Sequence, residues 1–325
     1  MLSLANAHGP LASQSATSSQ NNILTASAQV GAQPGIHQIT VSSLATTGTL
    51  YTNPLTDGDT SFLTDGATTG NIQLQVGASG TTHDIVITQG VNDTISTLAS
   101  YINDQKWGVA ASIVTDAGGA RLALYSQSTG TPGALAIVNN DTGLTFNAPV
   151  GGTNASLTID GVPLSSATNT VTGAISGVTL NLASASPSTT VQLTIGPDAA
   201  AATLAISNFV DAYNSVIGII NTQFTVNAAT NTQGPLGADS TLRSLQSSLL
   251  NDVTYSIAGN SGLVNLASLG IDLNNDGTLA VNQTATDTHP SLSNVLATNP
   301  SAVQSFFQNI QGPALPTIST MTSST

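Results

Sequence analysis

The sequence predicts an α+β, multidomain protein with two antiparallel β-rich regions and a discontinuous helical region. One β-rich region is an inserted β-β-α-β-β-β module. Three observations carry this. Apolar residues alternate with polar ones through most of residues 23–195, the period of half-buried strands. Turn pairs such as Pro34-Gly35, Asp57-Gly58, Asp65-Gly66 and Asp160-Gly161 interrupt that stretch. From Asp198 the spacing changes to three or four, with Ile206, Phe209, Tyr213, Val216 and Ile220 on one helical face.

In chain order, residues 1–22 are rich in Ser, Ala, Gln and Asn. They are expected to be loosely ordered, with nothing that nucleates a core, as if the chain opened mid-domain. Residues 23–32 read as a strand, and after Pro34-Gly35 so does Ile36 to Val41, rich in β-branched residues. His37 sits among apolar neighbours and is expected to be structural rather than a ligand. Residues 46–70 are dense in Thr, Gly and Asp turn signals and lead into the module, about Asn71 to Val150. There Ile72, Leu74 and Val76 alternate, then Ile85 and Ile87, predicting two strands. Asn92-Asp93 is expected to cap a helix with Ile95, Leu98, Ala99 and Ile102 inward, ending near Lys106-Trp107-Gly108. Strands follow at Val109 to Ile113, Arg121 to Ser126 and Leu135 to Asn139. One sheet with the helix on one face is the expected arrangement.

Residues 155–195 alternate again through Leu157 and Ile159, Val178 to Leu182, and Val191 to Ile195, with Asp160 to Pro163 as a turn. Short turns predict antiparallel pairing, completed by the strands that precede the module. Asp198 caps the first long helix, 198–221. Asp239 caps a second, with Leu242, Leu245, Leu249 and Val253 on one face and Arg243 pointing into solvent. Asn299-Pro300 opens a third carrying Val303, Phe306 and Phe307. The tail after Gly312, with two prolines, is expected to lack structure.

Composition narrows the function. Only 6% of the 325 residues are charged, against roughly a quarter in ordinary globular proteins. The cations are Lys106, Arg121 and Arg243, and all sixteen acids are Asp. A net charge of -13 argues against nucleic acid and against anionic membrane surfaces. There is no cysteine, which excludes disulfides, thiolate metal sites and thiol nucleophiles. No uninterrupted run of ~18 apolar residues predicts a membrane span. Residues 1–19 lack the pattern of a cleaved signal peptide, so export would need another route.

No residue set predicts catalysis, cofactor binding or metal binding. Asp272, Asn274 and Asp276 are spaced like the start of a calcium loop, but the twelfth position is Gln283 instead of a bidentate carboxylate. A hairpin turn at Asp276-Gly277 explains the same residues. His8, His83 and His289 are far apart, and phosphate loops and nucleophile elbows are absent from the sequence. Asp160 reads as a turn residue and Asp211 as a helix-surface residue; sequence distance cannot make them a pair.

Three colinear stretches resemble the flagellar hook-associated protein 2 family. They are Ala155 to Leu182 leading into Asn208 to Asn214, then Gly234 to Arg243, then Leu269 to Leu279 with Asn299-Pro300 and Val303 to Phe307. The inserted module resembles a short motif shared by flagellins and hook-associated proteins, through Leu98 to Asn103, Gly108-Val109-Ala111 and Arg121-Leu122. The resemblance covers roughly residues 20–310. It implies a helical leg domain from 1–32 and 196–325, a β-rich head domain from 33–50 and 151–195, and an inserted head module at 51–150. The family's terminal coiled-coil segments are missing at both ends, so the chain is expected to be a fragment or shortened relative.

The resemblance implies a secreted, non-enzymatic subunit of the bacterial flagellum. Such subunits form a ring at the distal tip of the filament and help exported flagellin fold and insert beneath it. Implied partners are further copies of itself, flagellin and the filament tip, and an export chaperone through the missing terminal segments. No nucleic acid, membrane insertion or cofactor is implied. Two alternatives are a surface adhesin binding host glycans and a flagellin or hook–filament junction relative, which would carry long terminal heptad helices. A polysaccharide-active enzyme would need an acid pair in a groove.

Overall fold

A computed structural model of the chain describes residues 4, 6, 8–226, 232–286 and 289–309; the tail after Gly312 lies outside them. The chain divides into two compact units. One comprises Ala16–Ser27 and Gly35–Thr194, the other Met1–Ser15, Ala28–Pro34 and Ile195–Thr325.

The strands are β1 (Gln14–Ser18), β2 (Leu24–Ala28), β3 (Gly35–Ser43), β4 (Thr47–Tyr51), β5 (Thr69–Val76) and β6 (Thr82–Thr88), then helix α1 (Ile95–Gln105). After it come β7 (Val109–Asp116), β8 (Gly119–Thr129), β9 (Leu135–Asn140), β10 (Ala155–Ile159), β11 (Val162–Ser166), β12 (Thr170–Ile175), β13 (Val178–Leu182) and β14 (Val191–Pro197). Four sheets result, in the orders β1-β14-β3-β10-β11, β12-β13-β2, β4-β8-β7 and β6-β5-β9. Strand β3 pairs antiparallel with β10, so a strand from before the module does complete the later sheet. The turn between β10 and β11 is Asp160-Gly161 alone, with φ of 51° and 84°, the left-handed pair a two-residue hairpin demands. Val162 and Pro163, expected in the turn, already belong to β11.

Three expectations need correction here. The module holds two three-stranded sheets, not one. The turn-rich lead-in conceals β4, which pairs with β8 from Thr47↔Thr129 to Tyr51↔Ala123; non-local pairing overrides weak local β-propensity. The α1 cap is Thr94, whose hydroxyl accepts from the Thr97 N–H while Thr97 answers to the Thr94 N–H, a reciprocal capping box. Asn92 is used elsewhere. Below α1, Leu98, Ile102, Leu74, Ile85, Ile87, Leu122 and Leu124 form one aliphatic core.

The other unit is mostly helical: α2 (Ala199–Phe224), α3 (Ser240–Val253), the hairpin β15 (Ile271–Leu273) and β16 (Leu279–Val281), α4 (Leu292–Thr298) and α5 (Pro300–Asn309). Asp198 caps α2 by accepting from the Ala201 N–H at 2.9 Å. The buried row of α2 is Ala202, Ile206, Val210, Tyr213, Ile217 and Ile220. Val216, expected inward, is 43% exposed, because the buried stripe is rotated toward Val210 and Ile217. Helix α3 departs further: of its predicted face only Val253 is buried, and Leu245 is 47% exposed. Arg243 is exposed but engaged, its guanidinium 5.5 Å from the Phe224 ring centroid and donating to the Gly237 carbonyl. The early residues also depart from expectation. Leu4 and Leu11 are buried in this unit's core beside Phe306 and Phe307, and β1 is a paired strand.

Candidate functional site

The recurring polar features of the chain are fastenings between segments, and the asparagine side chain is their common part. One primary amide carries a donor and an acceptor, so it can satisfy both backbone groups of a residue. Asn214 of α2 donates Nδ2 to the Leu279 carbonyl at 2.8 Å and accepts from the Leu279 N–H at 2.7 Å. Asn103 of α1 does the same to Ala111 of β7, at 2.9 and 2.8 Å. Asn169 does it to Ala45, at 3.0 and 2.7 Å. In a chain with 6% charged residues, these neutral clamps do what ion pairs do elsewhere.

The family-like stretches within the helical unit therefore meet. The Asn208–Asn214 stretch grips the β15–β16 hairpin through Asn214, and Asn221 one turn pair further donates to the Asp276 carbonyl at 2.8 Å. Phe209 of the same stretch stands edge-on to Phe307, centroids 6.3 Å apart, and Phe306 packs against Phe307 at 5.5 Å. The Gly234–Arg243 stretch is tied to the end of α2: the Gly234 N–H reaches the Gln223 carbonyl at 3.1 Å and the Leu236 N–H its side chain at 3.3 Å. Sequence reasoning missed the clamps. Their signal was present: Asn103 lies four residues after buried Ala99, and Asn214 four after Val210 and three before Ile217. An amide in an apolar row marks a buried polar contact.

The acids serve local structure. Asp272 to Thr278 form the β15–β16 hairpin, with the Asn274 N–H on the Thr278 carbonyl at 2.8 Å. The Thr278 hydroxyl and then its N–H hold the Asp276 carboxyl below its ordinary range. Asp272 is turned to Asn282 and His289. The Gln38 N–H, then the His37 ring at 2.7 Å, lower Asp160. His37 thus fastens a turn. Arg121, then the Gly118 N–H, lower Asp116. Asp160 and Asp211 belong to different units. Among the described residues no group of three His, Asp, Glu or Cys could hold a metal ion. Helix α2 is long and apolar enough to cross a membrane by length and composition alone, with mean hydropathy 1.2; one face of it, from Ala202 to Ile217, packs into its unit's core.

The model for the flagellar hook-associated protein 2 C-terminus matches residues 152–316, that for its N-terminus residues 1–48, and the flagellin hook IN motif residues 71–128. The B-type flagellar hook-associated protein 2 of Pseudomonas aeruginosa is 28% identical over 316 residues, 88% of this chain and 65% of that protein. The Salmonella typhimurium flagellar hook-associated protein 2 is 30% identical over 256 residues, 73% of this chain and 52% of that protein. The chain thus spans between half and two thirds of the length of these relatives. The crystal structure of the Escherichia coli flagellar cap protein FliD, domains D1-D2-D3, matches with TM-score 0.68 at 27% identity, over 95% of this chain and 90% of that one. With its C-terminal family model covering 152–316 of 325 residues, the chain belongs to the flagellar hook-associated protein 2 family.

Proposed function

We propose that this protein is a structural subunit of the flagellar filament cap, secreted to the distal end of the filament, where it forms a ring that promotes folding and insertion of exported flagellin. The observation that carries the reading is the likeness to a flagellar cap protein along 95% of the chain. In this reading the subunit acts as shaped scaffolding without catalysis; carboxylates such as those of Asp198 and Asp160 cap a helix and close a turn, which supports it. Its partners are further copies of itself in a closed head-to-tail ring, flagellin at the filament tip, and an export chaperone. Within the unit of strands we propose two domains, an inserted module at 51–150 and a β-rich domain from 33–50 and 151–195 that also takes in the strands of 16–27; the rest of 1–32 and 196–325 forms the helical domain.

Deletion of the gene tests the reading. Cells lacking it should shed monomeric flagellin into the medium and carry no filaments, and the restored gene should return them. Normal filaments in the deletion strain would contradict it.

A further inference from the structure

Several strand edges of this chain carry a side chain in the place of a neighbouring strand. In the β15–β16 hairpin the Asn274 N–H bonds to the Thr278 carbonyl and the Asn282 N–H to the Gly270 carbonyl. Backbone groups alternate in direction along such a ladder, so Leu279 turns its N–H and C=O away from β15. Asn214 takes both. Strand β7 is the last of its sheet. Its pairing with β8 closes on Asp116 and Gly119 across a two-residue turn, so Ala111 faces the open side, and Asn103 takes both its groups. Strand β6 is the outer strand of its sheet. The Val76 N–H on the Thr81 carbonyl and the Gln89 N–H on the Thr68 carbonyl fix its alternation and turn Val86 and Thr88 outward. There Asn92 donates Nδ2 to the Val86 carbonyl at 2.9 Å and accepts from the Thr88 N–H at 2.8 Å. Each amide makes the two bonds that one residue of an added strand would make, antiparallel on β7 and β16, parallel on β6.

Strand β11 is the last of the five-stranded sheet and is blocked in another way. Its hairpin closes on Ile159 and Val162, and the pair beside a two-residue turn exchanges both backbone bonds. Val162, Leu164 and Ser166 therefore face β10, while Pro163 and Ser165 face outward. Pro163 is exposed and has no N–H to offer a further strand. Natural sheets commonly protect such edges with lysine. This chain has one lysine, Lys106, and it sits at the C-cap of α1. We infer that Asn92 and Pro163 keep β6 and β11 from pairing with the same edges of a second copy of this chain. On β7 and β16 the amide comes from α1 and α2, so a helix stands beside the edge as well. Asn92 precedes α1 and Pro163 belongs to the edge itself, so on β6 and β11 the block is a single side chain. This holds whether or not the chain caps a filament.

Pro163→Val in the full chain tests β11 without removing any bond. Because both copies would use the same edge, pairing should close about a twofold axis, and the sedimenting mass should rise with concentration to about twice that of the wild type. Hydrogen exchange at residues 163–165 should slow in step. Adding Val162→Lys, at a residue 63% exposed, should reverse both effects. Asn92→Ala and Asn103→Ala each lose two bonds of the same kind, so together they separate blocking an edge from fastening a segment. Asn92→Ala should associate, with exchange slowed at residues 86–88 as concentration rises. Asn103→Ala, with α1 still beside β7, should sediment as the wild type does. Wild-type mass for Pro163→Val at every concentration, or equal association of the two asparagine variants, would overturn the inference.

Discussion

Helices α1 and α3 announce themselves in the same way and end up in opposite situations. Each begins at a side-chain cap, Thr94 for α1 and Asp239 for α3. Each carries an apolar residue at every third or fourth position. Helix α1 buries Ile95, Leu98, Ala99 and Ile102 against two sheets and is fastened by Asn103 to β7. Helix α3 buries Val253 alone, touches its unit's core with Leu249, and is tied to α2 through Gln246 on Asn221 at 3.1 Å. Periodicity makes a face available for burial; whether anything lies opposite that face is decided by distant parts of the chain.

The comparison breaks most visibly by truncation. Leu98→Ala, at a residue 1% exposed, should cost about 2–5 kcal/mol through lost transfer energy and the cavity left behind. Leu245→Ala, at 47% exposure, should stay within about 0.5 kcal/mol. Urea unfolding midpoints of the two variants check this, and comparable losses would mean that α3 is buried after all.

The clamps come next. Asn103→Ala leaves the Ala111 N–H and C=O without partners, and Asn214→Ala does so to Leu279. Each should cost about 1–3 kcal/mol, the penalty of a buried polar group left unsatisfied. Asn→Asp keeps the acceptor and loses the donor, so it should recover only part. Faster hydrogen exchange at β7 and β16, respectively, would localise the damage.

These two predictions also mark how far the sequence could be read. Strands with strict alternation, such as β5 and β13, and helices with an acid or proline start, such as α2 and α5, were legible because the local period and the cap agree. Strands β1 and β4 were not. Strand β1 is built of Gln, Ser, Ala and Thr, and β4 has only Leu50 and Tyr51 after Thr47-Gly48-Thr49, too little for an alternating signal; partners more than 70 residues away hold them. Helix α4 was hidden by its seven-residue length. The clamps were hidden because an asparagine reads as a surface residue until the row it interrupts is recognised as buried.

Acid should separate the two helices by their caps. The Leu242 N–H, then the Thr241 N–H, hold the Asp239 carboxyl below its ordinary range. A carboxyl lowered in the folded state contributes stability above its unfolded pKa, about 3.9, and loses it as pH falls through the folded value. Helix α3 should therefore fray at its start below about pH 4, whereas α1, capped by a threonine hydroxyl, should not. Hydrogen exchange of residues 240–245 and 95–100 between pH 7 and 3 reads the difference.

The smallest effect lies where α2 meets the end of α3. The Tyr213 hydroxyl is buried without a hydrogen-bond partner, and burial, then the Asp252 charge, raise its pKa. Tyr213→Phe removes an unpaired polar atom and should leave stability unchanged or raise it by up to about 1 kcal/mol. With the folded value above the unfolded one, the wild type should lose stability as pH rises past about 10, and the variant should lose less.

The proposed function places this chain at the tip of a filament. Immunogold labelling of intact filaments with antibody to the purified chain tests it most directly. Gold confined to the distal end of each filament is the predicted result. Labelling along the shaft, at the hook junction or over the cell surface would contradict it.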